Sequence, residues 1–258
     1  MAFIGSTATG RSVASAAAGK ATIIEMGGNG PVVVLDDADV GAAVEATLTA
    51  CFLCAGQSCT AGERILVHEA VREEYVERLA RRVTETVLLG DPFEAATTMG
   101  PVNNEGVAVK MDEHVGDAVD RGAEVVAGGS RAGGFPTDLY WNATVLVDVP
   151  ADSRVATEET FGPVAPVVSI GSLDEAIELT NASPYGLLAA IFTRDLAAGL
   201  RFADEVRSGW VNINESSNYW EAHLPFGGRA GTDSGIGRVG GTHVMDTFTE
   251  LQTVTLTP

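Results

Sequence analysis

The sequence has 258 residues, of which 45% are hydrophobic and 20% are charged, a composition typical of a folded globular protein with a buried core. Its 35 acidic and 16 basic residues give a formal charge of −19, which argues against a nucleic acid or an anionic membrane surface as the main partner, because both would be repelled. No run approaches the roughly 20 apolar residues of a membrane span, and no basic leader precedes an apolar core. We therefore expect a cytoplasmic protein.

Strand-like and helix-like segments alternate along most of the chain. The predicted strands, each a short apolar run, span residues 20–26, 32–35, 64–67, 165–170, 187–192 and 209–213. The predicted helices, each with apolar residues at helical spacing, span residues 39–54, 71–87, 107–123, 173–181 and 196–206. This alternation predicts an α/β fold, in which right-handed crossovers build a mostly parallel, buried sheet with helices on its faces.

The chain starts with an apolar strand, residues 2–4, which runs into a glycine turn and then into a helix of small residues. The first turn of such a helix offers free N–H groups and a favourable dipole to a phosphate, to which Ser6 or Thr7 can add a hydroxyl. The spacing of Gly5 and Gly10 does not match the full dinucleotide fingerprint Gly-x-Gly-x-x-Gly. From these residues alone, phosphate binding and an ordinary helix N-cap both stay open.

A carboxylate, Glu25, ends the next predicted strand directly before the glycine pair Gly27-Gly28. Partial burial at the rim of a sheet raises the pKa of a carboxyl group towards the range of a general base, and glycines let a ligand or another backbone approach closely. A solvated side chain at the end of a strand explains the same residues. The local sequence therefore leaves both interpretations open.

The three cysteines lie close together but in different surroundings. Cys51 and Cys54 fall inside the predicted helix 39–54, which indicates small buried core residues, whereas Cys59 follows the helix stop at Gly56 in a polar loop, where a thiol is accessible and reactive. No second ligand pair accompanies the Cys-x-x-Cys spacing and the four histidines are scattered, so we expect no metal site. The clustering also differs from the spread framework of a secreted disulfide fold.

Two later segments combine charged or aromatic residues with turns. Glu158, Glu159 and Phe161 stand just before the predicted strand 165–170, where a solvated charge pair is the ordinary interpretation. Residues 212–228 place aromatics and glycines between an apolar strand and the tail, and fit either core packing or the wall of a pocket. Neither segment identifies a function by itself.

These motifs occur in an order that resembles the aldehyde dehydrogenase superfamily. The matching segments are Phe3-Ile4-Gly5-Ser6-Thr7, Glu25-Met26-Gly27-Gly28, Gly56-Gln57-Ser58-Cys59, Glu158-Glu159-Thr160-Phe161-Gly162-Pro163 and Pro225-Phe226-Gly227-Gly228. The resemblance covers essentially the whole chain and includes a tail, residues 248–254, similar to the family's subunit-pairing strand. It implies the family's catalytic domain with a mostly parallel sheet, a remnant of its Rossmann-like cofactor domain, and a homo-oligomer.

The resemblance also implies a role for each matched residue. Cys59 matches the catalytic nucleophile, Glu25 the general base, and Asn212 a buried asparagine that supports the site. The residues implied at the cofactor are Gly5, Ser6, Met26, Gly27, Glu159 and Phe161. Among them, Glu159 matches the residue that holds the nicotinamide ribose, and Phe161 the aromatic beside the nicotinamide ring. The residues implied at the substrate are Leu53, Ser58, Thr60, Glu215 and Phe226.

In the implied reaction an aldehyde is oxidised to a carboxylic acid. The Cys59 thiolate adds to the carbonyl, the adduct expels hydride to NAD or NADP and leaves a thioester, and Glu25 activates the water that releases the acid. NAD is the favoured cofactor. The partner is a small aldehyde, with no role for nucleic acid, membrane or metal.

The chain resembles only the carboxy-terminal half of that family. We divide it into a remnant of the dinucleotide-binding domain at residues 1–26, the catalytic domain at 27–238, and a C-terminal segment with an oligomerisation strand at 239–258. Three interpretations compete: a fragment of a full-length enzyme, a catalytically impaired homologue serving as a binding or assembly module, or a half that pairs with a separate chain or retains only thioester or ester hydrolysis. We favour the fragment, because a relic without catalysis has no reason to keep its catalytic residues together.

Overall fold

The computed structural model describes residues 1–258, which form a three-stranded and a seven-stranded sheet. The three-stranded sheet contains β1 Ala2–Ile4, β2 Ile23–Glu25 and, from late in the chain, β10 Gly235–Ile236. The seven-stranded sheet contains β3 Gly30–Val34, β4 Gly62–His68, β5 Glu124–Ala127, β6 Thr144–Val147, β7 Val164–Ile170, β8 Leu188–Phe192 and β9 Trp210–Ile213. The helices are α1 Thr7–Ala16, α2 Val40–Phe52, α3 Glu69–Thr86, α4 Glu105–Asp120, α5 Arg154–Thr157, α6 Leu173–Ala182, α7 Leu196–Glu205 and α8 His243–Phe248.

The seven-stranded sheet has the order β5-β6-β7-β4-β3-β8-β9 and is parallel except for the β5–β6 pair. At its centre Val32 of β3 lies opposite Ile65 of β4 on one side and Ala190 of β8 on the other. Both faces of these strands are covered, so their sequences are almost continuously apolar rather than alternating. The buried side chains around this sheet form one cluster of 46 residues. The predicted α/β fold with a mostly parallel sheet is confirmed.

The three-stranded sheet lies outside that cluster. Strands β1 and β2 pair in parallel, with Ile4 opposite Glu25, and β10 pairs antiparallel with β2. Helix α1 packs on this sheet at Gly10, where a Cβ atom would overlap the Met26 side chain. The second edge of β1 is open, and Ile4 is 69% exposed. Because β2 ends at Glu25, this small sheet sets the position of that carboxylate.

All strands and helices predicted between residues 2 and 213 are present, but some of their bounds differ. The strand predicted over residues 20–26 is wrong at its start, because α1 ends in a turn in which the Lys20 N–H bonds the Ala17 carbonyl at 3.0 Å, and β2 begins only at Ile23. The helix predicted over residues 39–54 ends at Phe52. Sequence analysis missed β5, β6 and β10 and the short helices α5 and α8, which are all brief segments.

The tail, residues 249–258, pairs with no strand of this chain, and its Leu251, Val254 and Leu256 side chains are exposed. The subunit-pairing strand that the resemblance implies here stays a prediction about a second subunit. None of the helices has both the length and the apolar composition needed to cross a membrane.

Candidate active site

The loop that carries Cys59 begins in a sharp turn between α2 and β4. The backbone is left-handed at three successive residues, Cys54, Ala55 and Gly56, with φ angles of 53°, 55° and 69°. A Cβ atom at Gly56 would overlap the carbonyl oxygen of Gly162, so this close approach requires glycine. The turn ends the helix and places the thiol of Cys59 at the amino end of β4.

The Cys59 thiol lies 3.5 Å from Oε1 of Glu25, a contact that joins the two sheets. Glu25 is only 6% exposed, and burial raises the pKa of its carboxyl group, while the hydrogen bond from Cys59 lowers it to a smaller extent. Burial and the charges of Glu25 and Glu159 raise the pKa of the Cys59 thiol to about 12. The thiol is therefore half-buried and protonated near neutral pH, and its nucleophilicity depends on a base or a nearby positive charge.

The backbone around Cys59 leaves one donor free. The Cys59 N–H donates to no other residue, whereas the Cys59 carbonyl oxygen packs so closely on Gly28 that a Cβ atom there would overlap it. The Gly28 N–H in turn donates to Oε1 of Glu159 at 3.0 Å. A free N–H beside a nucleophile is the arrangement that stabilises a developing oxyanion.

Glu159 and Phe161 lie in the loop between α5 and β7, next to the glycine turn that follows Glu25. The Glu159 carboxylate has room at Gly27 only because that residue lacks a Cβ atom. Phe161 has a φ of 56°, a left-handed conformation that is strained for an aromatic residue. Glu63 of β4 holds this turn, since its carboxylate accepts the N–H groups of Thr160 at 2.8 Å and Phe161 at 2.6 Å. Burial and the charge of Glu159 raise the pKa of Glu63.

Helix α1 begins at the glycine turn beside the end of β2, where the Gly5 N–H bonds the Glu25 carbonyl at 3.1 Å. Ser6 is the N-cap, and its hydroxyl accepts the Thr9 N–H at 3.4 Å. The structure thus shows the capping role that the sequence left open. A helix has four N–H groups without intrahelical partners, so this cap leaves others for a ligand, and phosphate binding stays a prediction.

Asn212 of β9 is buried and shapes the loop that follows it. Its side chain donates to the carbonyl oxygens of Ser216 at 2.7 Å and Tyr219 at 2.9 Å, and accepts the indole N–H of Trp210 at 2.7 Å. These contacts hold the loop after β9, and the supporting role that the resemblance implies for Asn212 stays a prediction.

The residues predicted to contact the substrate differ in environment. Leu53 and Glu215 are exposed, whereas Thr60 and Phe226 are buried. The Phe226 ring packs among tryptophan rings at centroid distances of 5.6 and 6.1 Å. The hydroxyl groups of Ser58 and Thr60 lie 2.9 Å apart and bond a neighbouring asparagine. Glu215 is the only one of these residues that lines a cleft of about 420 Å³ between α2 and the loop after β9. The other polar side chains that line this cleft are Glu45, Thr49, Asn214, Ser216, Asn218 and Tyr219.

The other two cysteines are separated from the site. Cys51 lies on the buried side of α2, and its thiol donates to the Gly62 carbonyl at 3.0 Å. Cys54 is exposed, so the prediction that it is a buried helical residue is wrong. The left-handed turn after Phe52 carries it out of the helix.

Sequence analysis missed two residues of the site, Glu63 and Asn218. A carboxylate at the start of an apolar strand, Glu63-Arg64, is a signal that could have identified the first, because a charge in that position needs partners. Asn218 is the asparagine that binds Ser58 and Thr60. Nothing in its local sequence distinguishes it from an ordinary turn residue.

The sequence of this chain is similar to those of known proteins. The family model described as aldehyde dehydrogenase family matches residues 1–254. Benzaldehyde dehydrogenase (NAD+) of Pseudomonas putida is 41% identical over 256 residues, which are 98% of this chain and 51% of that protein.

Solved structures show the same similarity. An NADP-dependent enzyme of E. coli superposes with a TM-score of 0.92 at 35% identity, covering 96% of this chain and 51% of the other. Betaine aldehyde dehydrogenase of Staphylococcus aureus, solved in complex with NAD+, superposes with a TM-score of 0.88 at 34% identity, covering 95% of this chain and 49% of the other. The chain thus spans about half the length of the relatives it matches.

Proposed function

The chain belongs to the aldehyde dehydrogenase family, and we propose that, as part of a longer enzyme, its Cys59 site oxidises an aldehyde to a carboxylic acid with NAD or NADP as hydride acceptor. One observation carries this proposal: Cys59 Sγ lies 3.5 Å from Oε1 of Glu25, beside a free Cys59 N–H. A nucleophile, a base and an oxyanion donor therefore stand together.

In the first half of the reaction Cys59 is the nucleophile. As the thiol proton passes to Glu25, Sγ bonds to the carbonyl carbon of the aldehyde, and the carbonyl oxygen takes the displaced electron pair beside the Cys59 N–H. Departure of hydride from the same carbon restores the C=O bond and leaves an acyl group on Sγ as a thioester. When bound, the oxidised nicotinamide supplies the acceptor for that hydride.

In the second half Glu25, after releasing its first proton to solvent, acts on water. Its carboxylate takes a proton from a water molecule, whose oxygen attacks the thioester carbon. The C–S bond breaks, the carboxylic acid leaves and the Cys59 thiol re-forms. Because burial raises the pKa of Glu25, its carboxylate is a stronger base than an exposed glutamate.

The residues present fit part of a nicotinamide dinucleotide. Helix α1 has no acidic residue in its first turn, so its N-terminus at Gly5 and Ser6 suits a phosphate. Glu159 binds the protein through Oε1 and leaves Oε2 for the hydroxyl groups of a ribose. We assign Met26, Gly27 and the Phe161 ring to the nicotinamide end of the same site. NAD is the favoured cofactor, in line with the name of the Pseudomonas relative, benzaldehyde dehydrogenase (NAD+).

The substrate approaches past the residues that flank the thiol and past the loop after β9. We assign Leu53, Ser58, Thr60, Glu215 and Phe226 to this path. Support for this path comes from Glu215 and Asn218, which line the same cleft of about 420 Å³, and from the bonds of Asn218 to the Ser58 and Thr60 hydroxyls.

We keep the division at residues 1–26, 27–238 and 239–258, with the exposed apolar tail pairing with a second subunit and the enzyme residing in the cytoplasm. The three free cysteines are compatible with a reducing compartment. A second candidate function is ester or thioester hydrolysis by the chain alone, since Cys59 and Glu25 both belong to it. A binding or assembly module without catalysis is the remaining alternative.

A fusion protein tests the proposed function. The upstream half of the Pseudomonas putida benzaldehyde dehydrogenase, joined to this chain, restores the length of the relatives. We expect it to reduce NAD with benzaldehyde or betaine aldehyde, and the same fusion with Cys59→Ala to be inactive. A fusion that folds and binds NAD but oxidises no aldehyde would contradict the proposal and favour the assembly module.

A further inference from the structure

We propose that Asn218 is a positioning residue for the nucleophile, an inference that rests on the proposed function of Cys59. The Asn218 side chain lies between the Cys59 loop and α2. Its Oδ1 atom accepts the Thr60 hydroxyl at 2.6 Å and lies 3.1 Å from the Ser58 hydroxyl oxygen. Ser58 and Thr60 are the residues directly before and after Cys59, so one amide oxygen binds both neighbours of the thiol.

The other end of the same amide is tied to the last turns of α2. Nδ2 donates to the carbonyl oxygens of Thr49 at 2.8 Å and Ala50 at 3.1 Å. Carbonyl oxygens only accept hydrogen bonds, so chemistry fixes which end of the amide faces the helix. A rotated amide would place Oδ1 against two carbonyl oxygens. We name this set of contacts, from Thr49 and Ala50 through Asn218 to Ser58 and Thr60, the Asn218 bridge.

The Asn218 bridge fixes the peptide that carries the free oxyanion donor. The Ser58 hydroxyl accepts the Thr60 N–H at 3.2 Å, which closes a small ring of hydrogen bonds around Cys59. On the opposite side, the Cys59 carbonyl oxygen packs on Gly28. The backbone is therefore held on both sides of the Cys59 Cα, by the Ser58 and Thr60 hydroxyls and by the packing of the Cys59 carbonyl on Gly28, and the Cys59 N–H keeps one direction relative to the thiol. A displacement of about 1 Å in such a geometry can cost about a hundredfold in rate.

The bridge itself is anchored. The Asn218 N–H donates to the Ser216 hydroxyl at 3.3 Å, and that hydroxyl donates to the Ala46 carbonyl of α2 at 3.1 Å. Asn212 holds the same loop from β9 through the Ser216 carbonyl. These bonds hold the loop after β9 in place, so the Asn218 amide keeps the fixed position that a positioning residue requires.

Two reactions of the Cys59 thiol distinguish a positioning role of Asn218 from a role that only stabilises the fold. Acyl transfer from p-nitrophenyl acetate builds an oxyanion that needs the Cys59 N–H, whereas alkylation by iodoacetamide builds none. A misplaced N–H therefore slows the first reaction and spares the second. Loss of fold or of thiol access slows both.

The test compares the unaltered 258-residue chain with Asn218→Ala. We expect the rate constant of the acylation burst to fall about tenfold or more, while the alkylation rate of Cys59 stays within about threefold. A second variant, Ser58→Ala with Thr60→Val, removes the hydroxyls but keeps the contacts of Asn218 with α2. It should show the same split, and it preserves the test if Asn218→Ala fails to fold.

The matched control is Asn181→Ala on α6. The Asn181 amide bonds only the backbone of Glu205 and Arg207, so the variant removes comparable contacts away from the thiol and should leave both reactions unchanged. Equal losses in both reactions, or a burst that Asn218→Ala leaves within twofold, would overturn the positioning role alone. A burst that persists in Cys59→Ala would contradict the assignment of Cys59 as the nucleophile, and with it the proposed function itself.

Discussion

The two sheets meet at the contact between Cys59 and Glu25, but they are supported very differently. The seven-stranded sheet rests on a cluster of 46 buried residues, to which residues 1–26 contribute none. The three-stranded sheet has an open edge at β1, and its third strand, β10, is only two residues long. Cys59 thus lies beside a large buried core, whereas Glu25 lies at the end of a strand in a small sheet with one open edge.

A few contacts from late in the chain compensate for this difference. Ser234 is fully buried, its carbonyl accepts the Met26 N–H at 3.1 Å, and its hydroxyl donates to the Gly27 carbonyl at 2.8 Å. The Ser234 hydroxyl also accepts the Gly186 N–H at 3.0 Å, so these bonds connect the segment just after Glu25 to the residues before β8 of the larger sheet. The comparison therefore teaches that the proposed nucleophile lies beside the large buried core, while the proposed base lies on a small sheet with one open edge.

The largest expected effect comes from the nucleophile. Cys59→Ala should lower the burst with p-nitrophenyl acetate by about a thousandfold or more, because no other thiol lies beside Glu25. The exposed Cys54 provides the matched control, and Cys54→Ala should keep the full burst. Stopped-flow absorbance at equal protein concentration measures both. A burst that is lost in Cys54→Ala and kept in Cys59→Ala would show that the reactive thiol is Cys54, outside the site.

Matched isoleucine substitutions compare the two sheets directly. Ile65 of β4 is 0% exposed, so Ile65→Ala should lower the free energy of unfolding by about 3 kcal/mol. Ile4 of β1 is 69% exposed, and Ile4→Ala should change it by less than about 0.5 kcal/mol. Urea unfolding followed by circular dichroism supplies both values. Similar losses of unfolding free energy in the two variants would mean that β1 has a buried partner and that the two sheets are equally supported.

The smallest expected effect concerns the charge around the thiol. Glu25 raises the pKa of Cys59, so Glu25→Gln should lower that pKa and increase the thiolate fraction at any pH below it. The thiolate fraction at about pH 8 should then rise about tenfold for each unit by which the pKa falls, and alkylation by iodoacetamide should accelerate by a smaller factor, about threefold for each unit, because a less basic thiolate is less nucleophilic. The control Glu124→Gln removes an equal charge from the distant, exposed β5. Unchanged alkylation in Glu25→Gln would show that Glu25 does not act on the thiol.

Local sequence patterns predicted the central elements because burial determines them. Continuous apolar runs contain Val32, Ile65 and Ala190. Such runs are typical of parallel strands whose sheet is covered on both faces. The error at Cys54 has the opposite origin. Helical spacing continues past Phe52, and nothing local shows that Cys54 and Ala55 adopt left-handed backbone, a conformation that their residue types disfavour.

Local sequence patterns could not predict contacts between segments that are far apart in the chain. The order of motifs suggested Cys59 and Glu25, whose 3.5 Å approach only the structure shows. Glu63 binds a loop 97 positions later in the chain, and Asn218 binds Thr60 across 158 positions. Such pairs depend on how the two ends of the chain pack, which propensity and spacing do not encode.

The most direct test of the account is to locate the acyl group. The Glu25→Gln variant, treated with p-nitrophenyl acetate and digested, is analysed by peptide mass spectrometry against the unaltered chain. We predict one acetyl group on Cys59, accumulating in Glu25→Gln because deacylation has lost its base, and turning over in the unaltered chain. Acetylation of another residue, or equal turnover in both proteins, would contradict the assignment of Cys59 as nucleophile and Glu25 as base.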